Sequence, residues 1–276
     1  MGLDAGGLAD QRDEPLIAPC ENFSALANVE GIVLDATLEF MLDEASILEA
    51  MTGAPRVVML TNPVNPTGQL LNRRQLGELQ HQAFAKGATL IVDETYFEFT
   101  DVPEDLGPEG GWDLESTVLI GSFSKSFSLA GLRVGYVIST PERIRQFVKA
   151  QDASMICAGT LAQRAALAAL IDRDAHIPKV WSEIKHRSQA MTRMLLSSGV
   201  FERVIGGNGV HVFAKLSILC SSKMAAEHLL EQSGIACLPG FTGGPAGEGW
   251  LRFSCGRLSV SEIEIFSRGK IAAPWK

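Results

Sequence analysis

The chain has 276 residues, with 24 Lys and Arg against 32 Asp and Glu, a formal net charge of −8 and 46% apolar residues. An acidic chain without a dense basic block is not expected to bind nucleic acid, and this balance of apolar and charged residues is typical of globular proteins. No apolar run approaches the length that spans a bilayer, and the opening MGLDAGGLADQRDEPL lacks the basic start and apolar core of a signal peptide. We therefore expect no membrane partner.

The cysteines are few and widely separated. They match neither the spacing of a zinc site nor a disulfide framework, and they are Cys20, Cys157, Cys220, Cys237 and Cys255. Free thiols in a reducing compartment are the simplest interpretation, so we predict a cytoplasmic protein.

Strand-like and helical patterns alternate in the first part of the chain. Apolar β-branched runs predict strands, and amphipathic runs predict helices, in the order strand 56–60, helix 73–85, strand 88–93, strand 117–121, strand 133–139 and helix 141–151. Strands that alternate with helices indicate a mostly parallel sheet with covered faces. We therefore predict a large α/β domain over residues 1–154.

The pattern changes after this point. Further helices are predicted over 161–171, 179–198 and 222–232, with shorter strands over 201–205, 209–216 and 250–254. We predict a smaller α+β domain over residues 155–276.

Two loops that follow predicted strands carry polar side chains. NPVNPTG, residues 62–68, is either a plain turn or a loop that presents the side-chain amide of Asn65 to a ligand. In VDETYFEF, residues 92–99, Asp93 ends an apolar strand, where a carboxylate either caps the next turn or meets a cation. Tyr96 follows three residues later and is one of two tyrosines in the chain.

A third loop, in VLIGSFSKSFSLAGLRVGY over residues 118–136, places a lysine among four serines at the end of a strand. Ser122, Ser124 and Arg133 supply hydroxyls and a guanidinium that suit a phosphate dianion. Lys125 is either a solvated loop residue or an amine whose small and apolar neighbours favour a nucleophile.

A fourth segment, WLRFSCG, places Arg252 inside an apolar strand. The residue is either a strand-edge arginine that reaches water or a clamp for a carboxylate.

One cofactor, pyridoxal 5'-phosphate, requires all of these groups. It needs a lysine for its aldehyde, an acid opposite its ring nitrogen, donors at its phenolate oxygen and an anion site for its phosphate. The corresponding residues are Lys125 for the aldehyde, Asp93 for the nitrogen, Asn65 and Tyr96 for the oxygen, and Ser122, Ser124 and Arg133 for the phosphate.

These segments, with ICAGTLAQRAALAAL and GIACLPGFTGGPAGEGWLRFSCG, resemble the fold-type I, aspartate aminotransferase-like family of pyridoxal phosphate enzymes, which is related to histidinol-phosphate aminotransferases. The resemblance implies catalytic roles for Lys125, as Schiff-base lysine and proton shuttle, and for Asp93 and Tyr96. It also implies substrate-binding roles for Asn65 and Arg252. A homodimer is the assembly it implies.

The resemblance implies transamination between an α-amino acid and a 2-oxo acid. A phosphate-bearing substrate is less suited, because GFTGGPAGEGW, ahead of Arg252, has no basic residue. The alternatives are decarboxylation of an amino-acid phosphate, cyclisation on the same cofactor, or a non-catalytic or truncated paralogue.

From the alignment of these motifs we expect the family's usual first quarter, including a glycine-rich phosphate loop, to have no counterpart in this sequence. We expect the residue that stacks on the cofactor ring within APCENFSAL, residues 18–26, where Cys20 or Glu21 occupies the position and Phe23 is nearby.

Overall fold

A computed structural model describes residues 40, 44–51, 57–101, 107–206 and 209–268. The segment 18–26, with Cys20, Glu21 and Phe23, lies outside these residues. The helices and strands are α1 (Glu44–Ala50), β1 (Val57–Thr61), α2 (Arg73–Ala85), β2 (Thr89–Asp93), β3 (Thr117–Ser122), β4 (Gly135–Ile138), α3 (Pro141–Ser154), α4 (Thr160–Ile171), α5 (Arg173–Ser197), β5 (Phe201–Ile205), β6 (His211–Leu216), α6 (Ser222–Ser233), β7 (Leu238–Pro239), β8 (Trp250–Ser254) and α7 (Val260–Arg268). Short 3-10 helices cover Ala130–Leu132, Gly240–Gly243 and Pro245–Gly247.

The first of two compact units comprises Leu42–Gln189 and Gly206–His211. Its sheet has the strand order β1-β2-β3-β4. The first three strands are parallel, and β4 runs antiparallel to β3. The prediction of a mostly parallel α/β sheet is therefore confirmed.

Helix α2 shows how the sequence determines one of the crossovers in this unit. Asn72 precedes the helix and accepts a hydrogen bond from the Gln75 backbone, while the Gln75 side chain accepts one from the Asn72 backbone. This reciprocal pair satisfies two amide groups that the first turn leaves without helical partners. The helix buries Leu76, Leu79 and Ala83 and packs against β2.

The second unit takes in the described residues of Ala190–Ile205 and Val212–Lys276, together with Phe40. Its sheet has the order β5-β6-β8-β7, with antiparallel pairing of β5 with β6 and of β7 with β8. Its core includes Leu195, Leu229 and Leu251, each at most 1% exposed. The domain boundary predicted after residue 154 falls at the end of α3 and stays a prediction, while the first unit continues through α4 into α5.

Across the described ranges, no helix has both the length and the apolar character that a membrane crossing requires.

Candidate active site

Asp93 is the last residue of β2 and lies in register between Thr61 of β1 and Ile120 of β3. Its backbone carbonyl accepts a hydrogen bond from the Asn62 N–H at 3.0 Å, and its Oδ1 accepts one from the Thr95 N–H at 2.9 Å. The carboxyl ends of parallel strands meet at one edge of a sheet, which is where α/β proteins bind ligands. The loops that follow β1, β2 and β3 therefore leave the sheet side by side.

The loop after β1 separates two asparagines with different surroundings. Asn62 is 2% exposed, and its Oδ1 accepts a hydrogen bond from the Leu71 N–H at 2.9 Å, so it holds the loop closed. Gly68 has φ +72° and donates to the Val64 carbonyl at 2.7 Å, which completes the turn. Asn65 is half-buried and lines a cavity described below.

Two buried phenylalanines anchor the loop after β3. Phe123 and Phe127 are buried, with ring centroids 5.3 Å apart, and they pack with Val134. Lys125, between them, is exposed, and its Nζ lies 5.9 Å from the centre of the Tyr96 ring. The structure thus brings together the lysine and the tyrosine predicted for the site. Their loops follow neighbouring strands.

The predicted phosphate ligands lie where β3 meets β4. Ser122 is the last residue of β3, and its Oγ accepts a hydrogen bond from the Ser124 N–H at 3.1 Å. Gly135 pairs with Ser122 across the strands. A side chain at Gly135 would place its Cβ 2.6 Å from the Gly121 carbonyl oxygen, so only glycine allows this approach.

Arg133 lies just before this pairing. It has φ +52° and ψ +50°, a left-handed conformation, and its exposed side chain donates from Nη1 to the Ala130 carbonyl at 3.0 Å. Arg133 thus lies on the turn that separates the loop of Ser122 and Ser124 from β4.

Glu94, next to Asp93, was not predicted as a site residue. It is 9% exposed, and its backbone N–H donates to the Ile120 carbonyl at 2.8 Å. Burial and the adjacent Asp93 charge raise the pKa of Glu94 from 4.5 to about 7. A hydrogen bond from Trp112 lowers the pKa by a smaller amount. Burial also raises the pKa of Tyr136, with a further contribution from the negative charge of Glu94.

A bidentate ion pair fixes the loop after β2 to the start of α5. Arg173 donates from Nε and Nη2 to the two carboxylate oxygens of Glu98 at 2.8 and 2.9 Å. Glu98 is 8% exposed, so its charge requires a partner. The two residues are 75 positions apart in the chain, and no local sequence pattern indicates their contact.

A small cavity, partly open to solvent, lies beside this loop. Asn65 and Tyr96 line it together with His211, and the other lining residues are Pro63, Val64, Pro66, Gly68, Phe99, Gly209 and Val210. The Tyr96 hydroxyl lies 3.4 Å from Nε2 of His211, and the two rings meet edge to face with centroids 5.9 Å apart. Sequence reasoning missed His211, whose signal was a single polar residue at the start of an apolar strand.

Arg252 belongs to the second unit. It is half-buried in β8 and pairs in register with Leu238 of β7. Its role as a carboxylate clamp stays a prediction.

Three comparisons relate the chain to known proteins. The family model described as aminotransferase class I and II matches residues 31–268. YugH of Bacillus subtilis (strain 168) is 31% identical over 247 residues, which cover 87% of this chain and 63% of that protein. The aspartate aminotransferase of Pyrococcus abyssi is 28% identical over 221 residues, which cover 78% and 57%.

Among solved structures, the aromatic aminotransferase from Pyrococcus horikoshii OT3 matches with a TM-score of 0.77 and 26% identity over 88% of this chain and 65% of that one. The chain thus spans less than two thirds of the length of each of these relatives. The likeness confirms the predicted aspartate aminotransferase-like fold.

The donor set at the sheet edge fits pyridoxal 5'-phosphate, on which class I and II aminotransferases depend. A primary amine, a carboxylate and a phenol follow neighbouring strands, and two hydroxyls with a guanidinium lie at the junction of β3 and β4. These are the groups that bind an aldehyde, a pyridine nitrogen, a phenolate oxygen and a phosphate.

Proposed function

The chain belongs to the class I and II aminotransferase family, and from this premise we propose that it holds pyridoxal 5'-phosphate through Lys125 and transfers an amino group from an α-amino acid to a 2-oxo acid. The observation that supports the proposal most directly is the position of the Lys125 amine over the Tyr96 ring, at the same sheet edge as Asp93.

Each residue has a distinct task in this proposal. The carboxylate of Asp93 holds a proton at the ring nitrogen, because the opposite charges attract. The amide of Asn65 and the hydroxyl of Tyr96 donate to the phenolate oxygen. The phosphate is bound by the two hydroxyls and the guanidinium of Ser122, Ser124 and Arg133.

When bound, the cofactor supplies a ring that withdraws electrons from the substrate Cα. Lys125 would hold the cofactor's aldehyde carbon through Nζ, with loss of water. With the amino substrate in its place, the free Nζ would take the proton from the substrate Cα as general base and later return a proton as general acid.

Arg252 is proposed to bind the α-carboxylate of the substrate through two parallel N–H···O bonds. The support for this role is chemical, since a planar guanidinium matches a carboxylate in geometry. It implies substrates with a plain carboxylate.

The experiment that tests the proposal uses the purified chain with added cofactor. We expect the cofactor absorbance to change on binding, and a single amino acid to convert the bound cofactor to its amine form with release of one 2-oxo acid. Carbon dioxide or a cyclic product in place of the 2-oxo acid would instead identify decarboxylation or cyclisation. Binding without any conversion would identify a non-catalytic paralogue.

We also propose a homodimer. Exposed apolar side chains on and just before α4 support it, since Ile156, Leu161 and Ile171 are at least 79% exposed. Light scattering of the chain with cofactor tests this, and a monomer at high concentration would contradict it.

The cytoplasmic location is proposed from the thiols. Cys157, Cys220, Cys237 and Cys255, the cysteines in the described residues, are free. Fractionation of the source cells tests this location.

A further inference from the structure

His211 opens β6 and is the histidine beside the tyrosine of the candidate site. Its Nε2 lies 3.4 Å from the Tyr96 hydroxyl oxygen, at the long end of hydrogen-bond distances. The edge-to-face contact of the two rings limits the directions in which each can turn.

His211, Tyr96 and Asn65 line the same cavity. Two of these three residues are the proposed partners of the cofactor's phenolate oxygen. A group that controls the Tyr96 hydroxyl therefore acts on the proposed cofactor site.

The direction of the hydrogen bond decides what Tyr96 can do. A phenol carries one proton and can donate once, while its oxygen can also accept. If Tyr96 donates to His211, its proton is unavailable to a ligand in the cavity. If His211 donates, the Tyr96 oxygen accepts from one side and its proton is directed to the other.

We infer that His211 is a positioning residue that donates its Nε2–H to the Tyr96 oxygen and thereby directs the phenol proton toward the cofactor's phenolate oxygen. This inference rests on the proposed function for the ligand, while the hydrogen bond itself is a property of the protein alone. A neutral imidazole has one N–H, so the inference also assigns the tautomer that carries its proton on Nε2.

The inference predicts the sign of a shift in the Tyr96 pKa. A donor to the phenol oxygen stabilises the phenolate and lowers the pKa, whereas an acceptor from the hydroxyl stabilises the neutral phenol and raises it. Lys125 also faces the Tyr96 ring, so its positive charge can act on the same phenol. The contribution of His211 must therefore be measured separately from that of Lys125.

The chain is suited to this measurement because it has two tyrosines, Tyr96 and Tyr136. The substitution Tyr136→Phe keeps the ring that packs over Gly121 and leaves Tyr96 as the single titrating phenol. Ultraviolet absorbance of the phenolate, followed against pH in the cofactor-free protein, then gives the pKa of Tyr96 directly.

On this background we expect His211→Phe, which keeps a ring but has no N–H, to raise the Tyr96 pKa by about one pH unit. His211→Gln keeps a side-chain N–H donor and should restore at least half of the shift. Lys125→Met on the same background gives the contribution of the lysine charge. Circular dichroism of each variant controls for folding, and if His211→Phe does not fold, His211→Ala replaces it as the donor-free variant.

A lower Tyr96 pKa in the donor-free variant would show that Tyr96 donates to His211, and an unchanged pKa would show that the contact carries no hydrogen bond. Either result overturns the inference. If the pKa shifts as expected but the protein takes up no cofactor, the hydrogen bond is supported and the proposed function is refuted. If the protein takes up cofactor but the pKa does not shift, the proposed function stands and the inference about His211 is refuted.

Discussion

Lys125 and Tyr96 lie on neighbouring loops at the edge of the first sheet, with the lysine Nζ 5.9 Å from the centre of the tyrosine ring. The position of the lysine follows from its flanking residues, because Phe123 and Phe127 bury their rings and direct the side chain between them outward. The position of the tyrosine follows from Asp93, whose carboxylate accepts a bond from the Thr95 backbone and turns the chain at the end of β2. An amine fixed in this way requires little rearrangement to bind a ligand.

We predict that Lys125→Met abolishes covalent attachment of the cofactor. Reduction of the wild-type complex with borohydride should fix the cofactor's mass on the peptide that contains Lys125, and the variant should show no such adduct. The free energy of unfolding should change by no more than about 0.5 kcal/mol, because the side chain is exposed.

Lys149→Met is the matched control, since Lys149 is exposed on α3. It should retain the adduct in full. An adduct of equal yield in Lys125→Met would contradict the assignment of the reactive amine.

A second prediction concerns Glu94 and pH. Its pKa is 4.5 in the unfolded chain and about 7 in the folded protein, so between these values the unfolded state binds fewer protons. Stability therefore falls as the pH rises through this window and is level above it, with a total loss of about 3 kcal/mol. Glu94→Gln has no proton to lose, so relative to wild type it should gain stability between about pH 5 and about pH 8.

Urea unfolding of wild type and Glu94→Gln at about pH 5 and about pH 8 measures this difference in stability. Glu109→Gln, at an exposed position, is the control and should show no relative gain. A Glu94→Gln variant whose stability follows wild type at both pH values would show that the carboxyl is ionised in the folded protein.

A third prediction concerns the ion pair of Arg173 with Glu98. Removing the guanidinium leaves a buried carboxylate without its partner, a change that costs about 3–5 kcal/mol when both groups are buried. Arg173 is 43% exposed, so water screens part of the interaction. We therefore expect a coupling energy of about 2 kcal/mol in a double-mutant cycle of Arg173→Met and Glu98→Gln.

The exposed pair of Lys223 with Glu227, 3.9 Å apart within α6, serves as the control cycle. Its coupling should not exceed about 0.5 kcal/mol. Equal couplings in the two cycles would show that the pair at Glu98 is no stronger than a surface contact.

The strands of the fold were predictable because buried strands are continuous apolar runs. The runs at 56–60 and 88–93 became β1 (Val57–Thr61) and β2 (Thr89–Asp93), each within one residue. Helix α5 was predicted from residue 179, yet it begins at Arg173 and contains Pro178. Proline lacks an N–H and disfavours helix interiors, so the pattern alone placed the start after it. The bond between Arg173 and Glu98 stabilises that first turn, and the contact joins distant parts of the chain.

The same distinction applies to the candidate site. Lys125 and Asp93 could be proposed from the sequence because Asp93 ends an apolar strand and Lys125 follows one, where α/β sheets bind their ligands. His211 and Glu98 were not predictable, because each acquires its role from a partner distant in the sequence. The spacing of residues in the sequence identifies those that follow each strand. Their contacts depend on the fold.

A fourth prediction concerns Arg133. In the proposed site its guanidinium binds the cofactor phosphate through charge-assisted hydrogen bonds, each contributing about 1.5–3 kcal/mol. Arg133→Ala should therefore weaken cofactor affinity by about ten- to a hundredfold, as measured by absorbance titration. The variant removes the hydrogen bond from Arg133 to the Ala130 carbonyl at an exposed position, so the free energy of unfolding should change little. Unchanged cofactor affinity would rule out a phosphate contact.

The last prediction separates substrate binding from cofactor binding. If Arg252 binds the α-carboxylate through a planar, two-bond contact, Arg252→Lys keeps the charge but cannot reproduce the geometry. The KM for the amino acid should then rise by about ten- to a hundredfold, while cofactor affinity and the cofactor spectrum stay as in wild type. Steady-state kinetics and a cofactor titration measure both quantities on one preparation.

Arg257→Lys is the matched control, because Arg257 is exposed and lies five residues further along the chain. It should leave both quantities unchanged. If Arg252 makes no substrate contact, Arg252→Lys should instead give wild-type KM and a stability change within about 0.5 kcal/mol. If Arg252→Lys keeps the wild-type KM for every amino acid that turns over, Arg252 is not a carboxylate clamp. The reason to prefer α-amino acids as substrates is then lost as well.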